Sequence, residues 1–438
     1  MSTPTLRTLV DGRPEFDETL RALARRGDTD LDRVEGTVRQ ILSDVRQRGD
    51  AAVREYVERF ENRRPEALMV RDYGGAEALE SLTPSLRQAL TVAAERIRRY
   101  HEHQKRQLTT FEYVEDGVML SSRVTPVQRA GIYAPGGKAC YPSSVLMCAV
   151  PAQVAGVPEI YLASPDTSVE VRAACHLAGV TALIDFGGAQ AIAALAYGTE
   201  SVPAVDKIVG PGNIYVAAAK RLVFGQVDID SIAGPSEILV LADETADPEV
   251  VAADLLSQAE HDEDAYALLI AVGARVAEAV SAAVARQLAS LPETDARGRP
   301  RRAIAEESVR RHGTALVVES EARLIELANV LAAEHVSVQT NAARSVADRI
   351  TRAGALFVGH NTPEAAGDYL AGPSHVLPTG GAARYGAPLG VYDFVSRSSL
   401  IGYELSALAA QAADITTFAR AEGLEAHARA VEVRLGRK

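Results

Sequence analysis

The stretch SQAEHDEDAY, residues 257–266, gathers Gln258, Glu260, His261, Asp262, Glu263 and Asp264 at the end of an otherwise apolar helical segment. An amide, an imidazole and carboxylates are the donor types that hold a divalent cation when no thiolate takes part. Asp247 suits an N-cap and Pro248 a first helical position, which predicts a helix over PEVVAADLLSQAEH. Asp254, Gln258 and His261 then share one stripe. Such a stripe faces either water or a cleft, and Gln258-x-x-His261 alone does not decide between them.

More donors lie further along. AAEHVSVQT sets Glu334 and His335 where a helix gives way to a β-branched run, and GHNTPEAAGDYLAGPSHVLPT offers His360, Asp368 and His375 after a strand. AEGLEAHARA adds Glu422 and His427 near the end of the chain. Two histidines with an aspartate and a side-chain amide would make an N/O site suited to zinc or a similar ion. The three cysteines, Cys140, Cys148 and Cys175, are odd in number and lack CxxC spacing, so neither a disulfide framework nor a thiolate zinc site is expected. His101 and His103 sit among charged residues and read as a solvated helix face, whereas His176 reads as a core or boundary histidine.

Positioning these groups requires a sizeable fold. The first ~125 residues show apolar positions at three- and four-residue intervals and read as helices joined by polar turns. From Arg129 short apolar runs alternate with Ala-rich helices, and a second such series begins at EILVLAD. Apolar strands with helical crossovers mean parallel sheets covered on both faces. The expected fold class is α/β: two doubly wound, Rossmann-like parallel-sheet domains, a helical N-terminal segment and a small helical C-terminal tail domain. The expected division is 1–25 for the N-terminal segment, 26–132 plus 236–387 for the first α/β domain, 133–235 for the second, and 388–438 for the tail. Ligands of such sheets bind beyond the carboxyl ends of the strands, in a cleft. No G-x-G-x-x-G occurs, but YAPGGKACYPSSV, DFGGAQAI and VGPGNIY each place glycines where a strand ends. Each turn is either an ordinary βα connection or a cradle for an anion such as pyrophosphate.

Composition narrows the partners. Lys and Arg number 46 against 58 Asp and Glu, a formal charge of −12, which disfavours nucleic acid. The start, MSTPTLRTLVDGRPEF, lacks the basic and apolar regions of a leader, and no run of ~18 apolar residues spans a bilayer, so a cytoplasmic location is expected.

DIDSIAGPSEILVLAD is more specific than any periodicity. With SQAEHD, AEH at 333–335, GDYLAGPSHVLPT and AEGLEAH, in order from YHEHQ near residue 100 to RAVEVR near the end, the chain closely resembles the histidinol dehydrogenase family. The resemblance implies oxidation of L-histidinol through the aldehyde to L-histidine, the last two steps of histidine biosynthesis, with two NAD+ and one bound zinc. It places Gln258, His261, Asp368 and His427 on the zinc-ligand positions and Glu334 and His335 on the catalytic pair. Ser236, Glu422, His335 and the zinc ligands fall on substrate-holding positions, His375 on a further active-site histidine, and Tyr133, Gln190 and Asn213 on the NAD positions. It also implies an intertwined homodimer in which the tail of one subunit completes the other's site.

The residue types suit that chemistry. A histidine near pKa ~6.5 can take the alcohol proton, and a carboxylate with a raised pKa can activate the water that the aldehyde must add. Two departures stand out: Ala333 precedes Glu334-His335 where a Pro is common, with Val336-Ser337 following instead of Leu-Glu, and Ser374 stands where many members carry Asn. Both concern loop shape and remove no proposed ligand. The alternatives are a paralogue with the same zinc and NAD machinery acting on another small amino alcohol or diol, such as sulfopropanediol, and a non-catalytic binding protein on the same fold. Glu422 suits an ammonium or imidazole better than a sulfonate, and retention of Glu334 and His335 argues for catalysis.

Overall fold

The computed structural model describes residues 4–27, 31–136, 141–295 and 297–436. Cys140 and part of the first glycine turn, at 137–140, lie outside them. The strands in chain order are β1 (Arg7–Val10), β2 (Met69–Val70), β3 (Phe111–Glu115), β4 (Val118–Pro126), β5 (Arg129–Tyr133), β6 (Glu159–Ala163), β7 (Ala182–Ile184) and β8 (Lys207–Val209). They continue with β9 (Asp228–Ile229), β10 (Glu237–Ala242), β11 (Tyr266–Val272), β12 (Thr314–Val318), β13 (His335–Gln339), β14 (Ala355–Val358) and β15 (Val395–Tyr403).

Two six-stranded sheets form, in the orders β1-β12-β11-β10-β13-β14 and β2-β7-β6-β5-β8-β9. All neighbours are parallel except β2, which runs antiparallel to β7. In β10, Ile238, Val240 and Ala242 enter one core while Leu239 and Leu241 enter the other, so period-2 alternation leaves both faces apolar. Each such Leu or Ile, fully buried, contributes roughly 1.5–3 kcal/mol. Helices cover both faces of the first sheet: Pro248–Ala259, Ala274–Ser290 and Arg301–His312 on one, Pro14–Ala24 and Glu321–Leu331 on the other. The doubly wound architecture is therefore as expected.

The partition of the chain differs from the expected division. Val34, Val38, Ile41, Val53 and Tyr56, from helices Asp32–Arg48 and Asp50–Glu61, share a core with Ile192 and Val216 of the second sheet's unit. Residues 26–132 thus pack largely with the second sheet, because their apolar stripes match its open face. The N-terminal segment is not purely helical either: β1 extends the first sheet through pairing of Arg7–Val10 with Thr314–Val317. The tail is not all helical, since β15 pairs antiparallel with β4, and β4 with β3, in a third, three-stranded sheet. Helices Leu405–Ala421 and Glu425–Arg434 follow and pack chiefly on one another. No helix of the described residues is long and apolar enough to cross a membrane.

Candidate active site

Strand order sets where polar groups gather. In the first sheet the winding reverses between β10 and β13, where Ile238 lies beside His335. The candidate residues collect at the amino ends of these two strands, the edge opposite the one expected, since Ser236 immediately precedes β10 and Glu334 immediately precedes β13. Helix Pro248–Ala259 explains the choice of edge. It runs back along the sheet from the carboxyl end of β10, capped as expected by the Asp247 side chain on the Glu249 N–H, and delivers Gln258 and His261 to the amino edge. Asp254, one turn earlier, instead accepts from Gln339 Nε2 at 2.7 Å and Ser337 Oγ at 3.3 Å, which ties the helix to β13. Burial holds its carboxyl above the usual range.

His335 is the centre. Its Nδ1 lies 3.1 Å from the Glu237 carbonyl oxygen, which can only accept, so Nδ1 carries the proton and Nε2 the lone pair. Nε2 is buried without a hydrogen-bond partner, 3.6 Å from Glu364 Oε1 and 4.0 Å from Asp368 Oδ1. Burial, opposed by the Asp368 charge, pushes the imidazole down to about 4 and keeps it neutral. Glu334 Oε2 lies 3.6 Å from Nδ1 and accepts the Glu237 N–H at 2.9 Å. Burial, then the neighbouring Glu237 charge, raises the Glu334 carboxyl well above its ordinary value.

Asp368 Oδ1 lies 3.6 Å from His375 Nδ1; against burial, the His375, His335 and His261 imidazoles hold its carboxyl below the usual range. Its neighbour Glu364, raised by burial and by the Asp368 charge to about 8, accepts from Ser257 Oγ at 3.0 Å. His261, exposed just past the helix end, is near enough to Asp368 and His375 for their charges to act on it. Ser374 is buried and donates to the Met147 carbonyl oxygen at 3.2 Å, binding this loop to helix Pro142–Ala155 of the other unit. A cavity of about 560 Å³ opens beside His261, lined from one unit by Glu260, Arg301 and Tyr369 and from the other by Tyr141, Ser143 and Met147.

The donors fit a divalent cation. Gln258 Oε1 and Glu364 Oε1 are buried without partners, as is His335 Nε2, and buried polar atoms in that state call for a ligand. Two donor sets compete: Gln258, His261 and Asp368, or His335, Glu364 and Asp368, whose ligand atoms lie within 4.8 Å of one another. Neutral His335 also has a consequence for metal-stripped protein. Its folded pKa lies below the unfolded ~6.5, so the unfolded chain binds the proton first and the contribution of His335 to stability falls as pH drops from ~6.5 towards 4, by at most ~3 kcal/mol. Glu334 and Glu364, with raised carboxyls, act in the opposite sense, so the measurable quantity is the difference between wild type and His335→Asn in thermal melts in chelator, which should fall as pH drops from ~6.5 towards 4; a difference that does not vary with pH would mean that His335 is not buried neutral.

Several expected site residues lie apart. His360 sits at the carboxyl edge against Thr245 Oγ1, 3.4 Å away, outside the cluster. Glu422 and His427 are exposed on the tail, and no hydrogen bond or ion pair among the described residues joins them to the cluster. Tyr133, Gln190 and Asn213 gather at the carboxyl edge of the second sheet, where the winding reverses between β5 and β8. The Tyr133 hydroxyl accepts the Gly188 N–H at 3.1 Å, and Gln190 is buried two residues on. Asn213 caps helix Ile214–Val223 through the Tyr215 and Val216 N–H groups at 3.1 and 3.2 Å. Gly210, at φ +110°, passes against the Tyr133 carbonyl oxygen, leaving no room for a Cβ. No motif singles out Glu364, although it stands four residues before Asp368 on helix Glu364–Tyr369 and so on the same face.

A family model described as histidinol dehydrogenase matches residues 24–435. The histidinol dehydrogenase of Syntrophotalea carbinolica is 49% identical over 96% of this chain and 97% of its own length. That of Bacillus subtilis is 49% identical over 94% and 96%. The crystal structure of histidinol dehydrogenase from Elizabethkingia anophelis superposes with a TM-score of 0.90 at 32% identity, covering 100% of this chain and 99% of that one. Identity at this level, sustained end to end and joined to the same fold, means that the chain belongs to the histidinol dehydrogenase family.

Proposed function

We propose that this protein oxidises L-histidinol through L-histidinal to L-histidine, with NAD+ as hydride acceptor in both halves and zinc as a bound metal. One observation carries the reading: the buried, neutral His335 presents an unpartnered Nε2 lone pair, with the Glu334 carboxyl beside the same ring. His335 Nε2 takes the alcohol proton as the first hydride leaves. Glu334, with its raised pKa, takes a proton from the water that adds to the aldehyde, and the hydrate gives up the second hydride. Four electrons and one water thus separate alcohol from acid.

Gln258, His261 and Asp368 would hold zinc together with His427 of a second copy. When bound, the metal supplies an electrophilic anchor for the imidazole and amine of an amino alcohol. Ser236, His375 and Glu422 would hold the substrate, and Tyr133, Gln190 and Asn213 the dinucleotide. The exposed tail, with Phe418 70% and Val433 71% accessible, supports an intertwined homodimer that buries these faces. Matches of 47–49% identity to proteins named histidinol dehydrogenase do not favour the sulfopropanediol paralogue.

The test is a titration. With excess NAD+, about two NADH per L-histidinol are expected, since each hydride reduces one NAD+. One NADH per substrate, or none, would overturn the four-electron reading.

A further inference from the structure

Directly beneath the catalytic pair lies an ion pair that the reaction leaves unused. Arg26 and Glu237 have side chains only 1% exposed, and they join positions 211 residues apart. Arg26 Nε donates to Glu237 Oε2 at 2.8 Å, Nη2 donates to the same oxygen, and Nη1 donates to the Leu23 carbonyl oxygen at 2.8 Å. The other carboxylate oxygen, Glu237 Oε1, accepts the Gly380 N–H from the loop that carries His375. Gly27 runs so close to Gly380 that a Cβ at either position would meet the other's backbone, which seats the N-terminal arm against that loop.

Glu237 then reaches both catalytic residues. Its N–H donates to Glu334 Oε2, its carbonyl oxygen accepts from His335 Nδ1, and its carboxylate faces the Glu334 N–H at 3.4 Å. Remove the guanidinium and the Glu237 carboxylate becomes a buried, unpaired charge, which must take up a proton, admit water or turn away. Each response moves the first residue of β10, on which the Glu334 carboxylate and the His335 tautomer both depend.

We propose that Arg26 is a positioning residue for this enzyme: through the Glu237 carboxylate it fixes the start of β10, and with it the orientation of Glu334 and the Nδ1–H of His335. This rests on the roles proposed for Glu334 and His335 above. A pair that merely fastened the N-terminal arm would alter stability and leave the turnover of folded protein unchanged.

Arg26→Met alone strands a buried charge and can fail to fold, so the informative protein is the double variant Arg26→Met/Glu237→Gln, which leaves no charge unpaired. Zinc content, melting temperature, and kcat and KM are measured with L-histidinol and separately with L-histidinal. For the folded double variant we expect wild-type zinc content and little change in KM, with kcat lowered roughly 10- to 100-fold, the usual effect of losing an outer-shell partner. The aldehyde reaction, which depends on Glu334, should lose more than the alcohol reaction, and Arg26→Lys should recover most of the rate. A folded, zinc-replete double variant that turns over like wild type would overturn the proposal, as would a loss of kcat that simply follows lost zinc. Failure of the wild-type protein to form NADH from L-histidinol would instead overturn the proposed function and the positioning role with it.

Discussion

His335→Ala will keep its zinc and lose turnover by about 10²- to 10⁴-fold, the range that a positioned acid–base group supplies. The reason lies in the tautomer. With Nδ1–H committed to the Glu237 carbonyl oxygen, Nε2 alone is free to take a proton, and burial keeps it unprotonated at neutral pH. The same Nε2 lies near Glu364 and Asp368, so a metal held by those three is the competing arrangement. Metal analysis of the purified variant separates the two: zinc lost in step with activity would make His335 a ligand, leaving Gln258 and His261 without the role given to them.

His427→Ala should lower zinc affinity at least ~100-fold, because outer-shell partners alone are commonly worth 10- to 100-fold. No hydrogen bond or ion pair among the described residues joins its imidazole to the cluster, so in the proposed dimer the effect comes from a second copy. That makes a sharper measurement possible. His335→Ala and His427→Ala proteins, each inactive, should regain roughly a quarter of wild-type activity when unfolded together and reassembled. Half of the dimers are then mixed, and each mixed dimer holds one intact site. No recovery, with mixed dimers shown to form, would remove the tail from the neighbouring site.

How much of this could be read in the chain depends on the kind of signal. Strands such as Glu237–Ala242 and Tyr266–Val272 are nearly all apolar and announce a buried parallel sheet. By contrast β15, VSRSSLIGY, is largely exposed and polar, and only its pairing with β4 makes it a strand. The four residues of β1 are too few for periodicity to register. His101 and His176 came out reversed: the first is buried with Nδ1 on the Ile97 carbonyl oxygen, the second exposed, because helix faces are chosen by what packs on them. Gln258, His261, Asp368 and His375 could be named from the family's motifs. Arg26 and Glu237 could not, since a conventional arginine and an apolar strand's first residue acquire meaning only where the fold joins them.

The position of β1 bears on how the protein comes into being. Its partners along the sheet, Thr314–Val317, are made some three hundred residues after it, so a growing chain must carry this strand unpaired through most of its synthesis. The unit around the second sheet, encoded almost contiguously, can condense during that interval. Arg26 belongs to the same arm, so in a nascent chain the ion pair beneath Glu334 and His335 joins a segment made early to Glu237, made 211 residues later, while β1 waits longer still for its own partners.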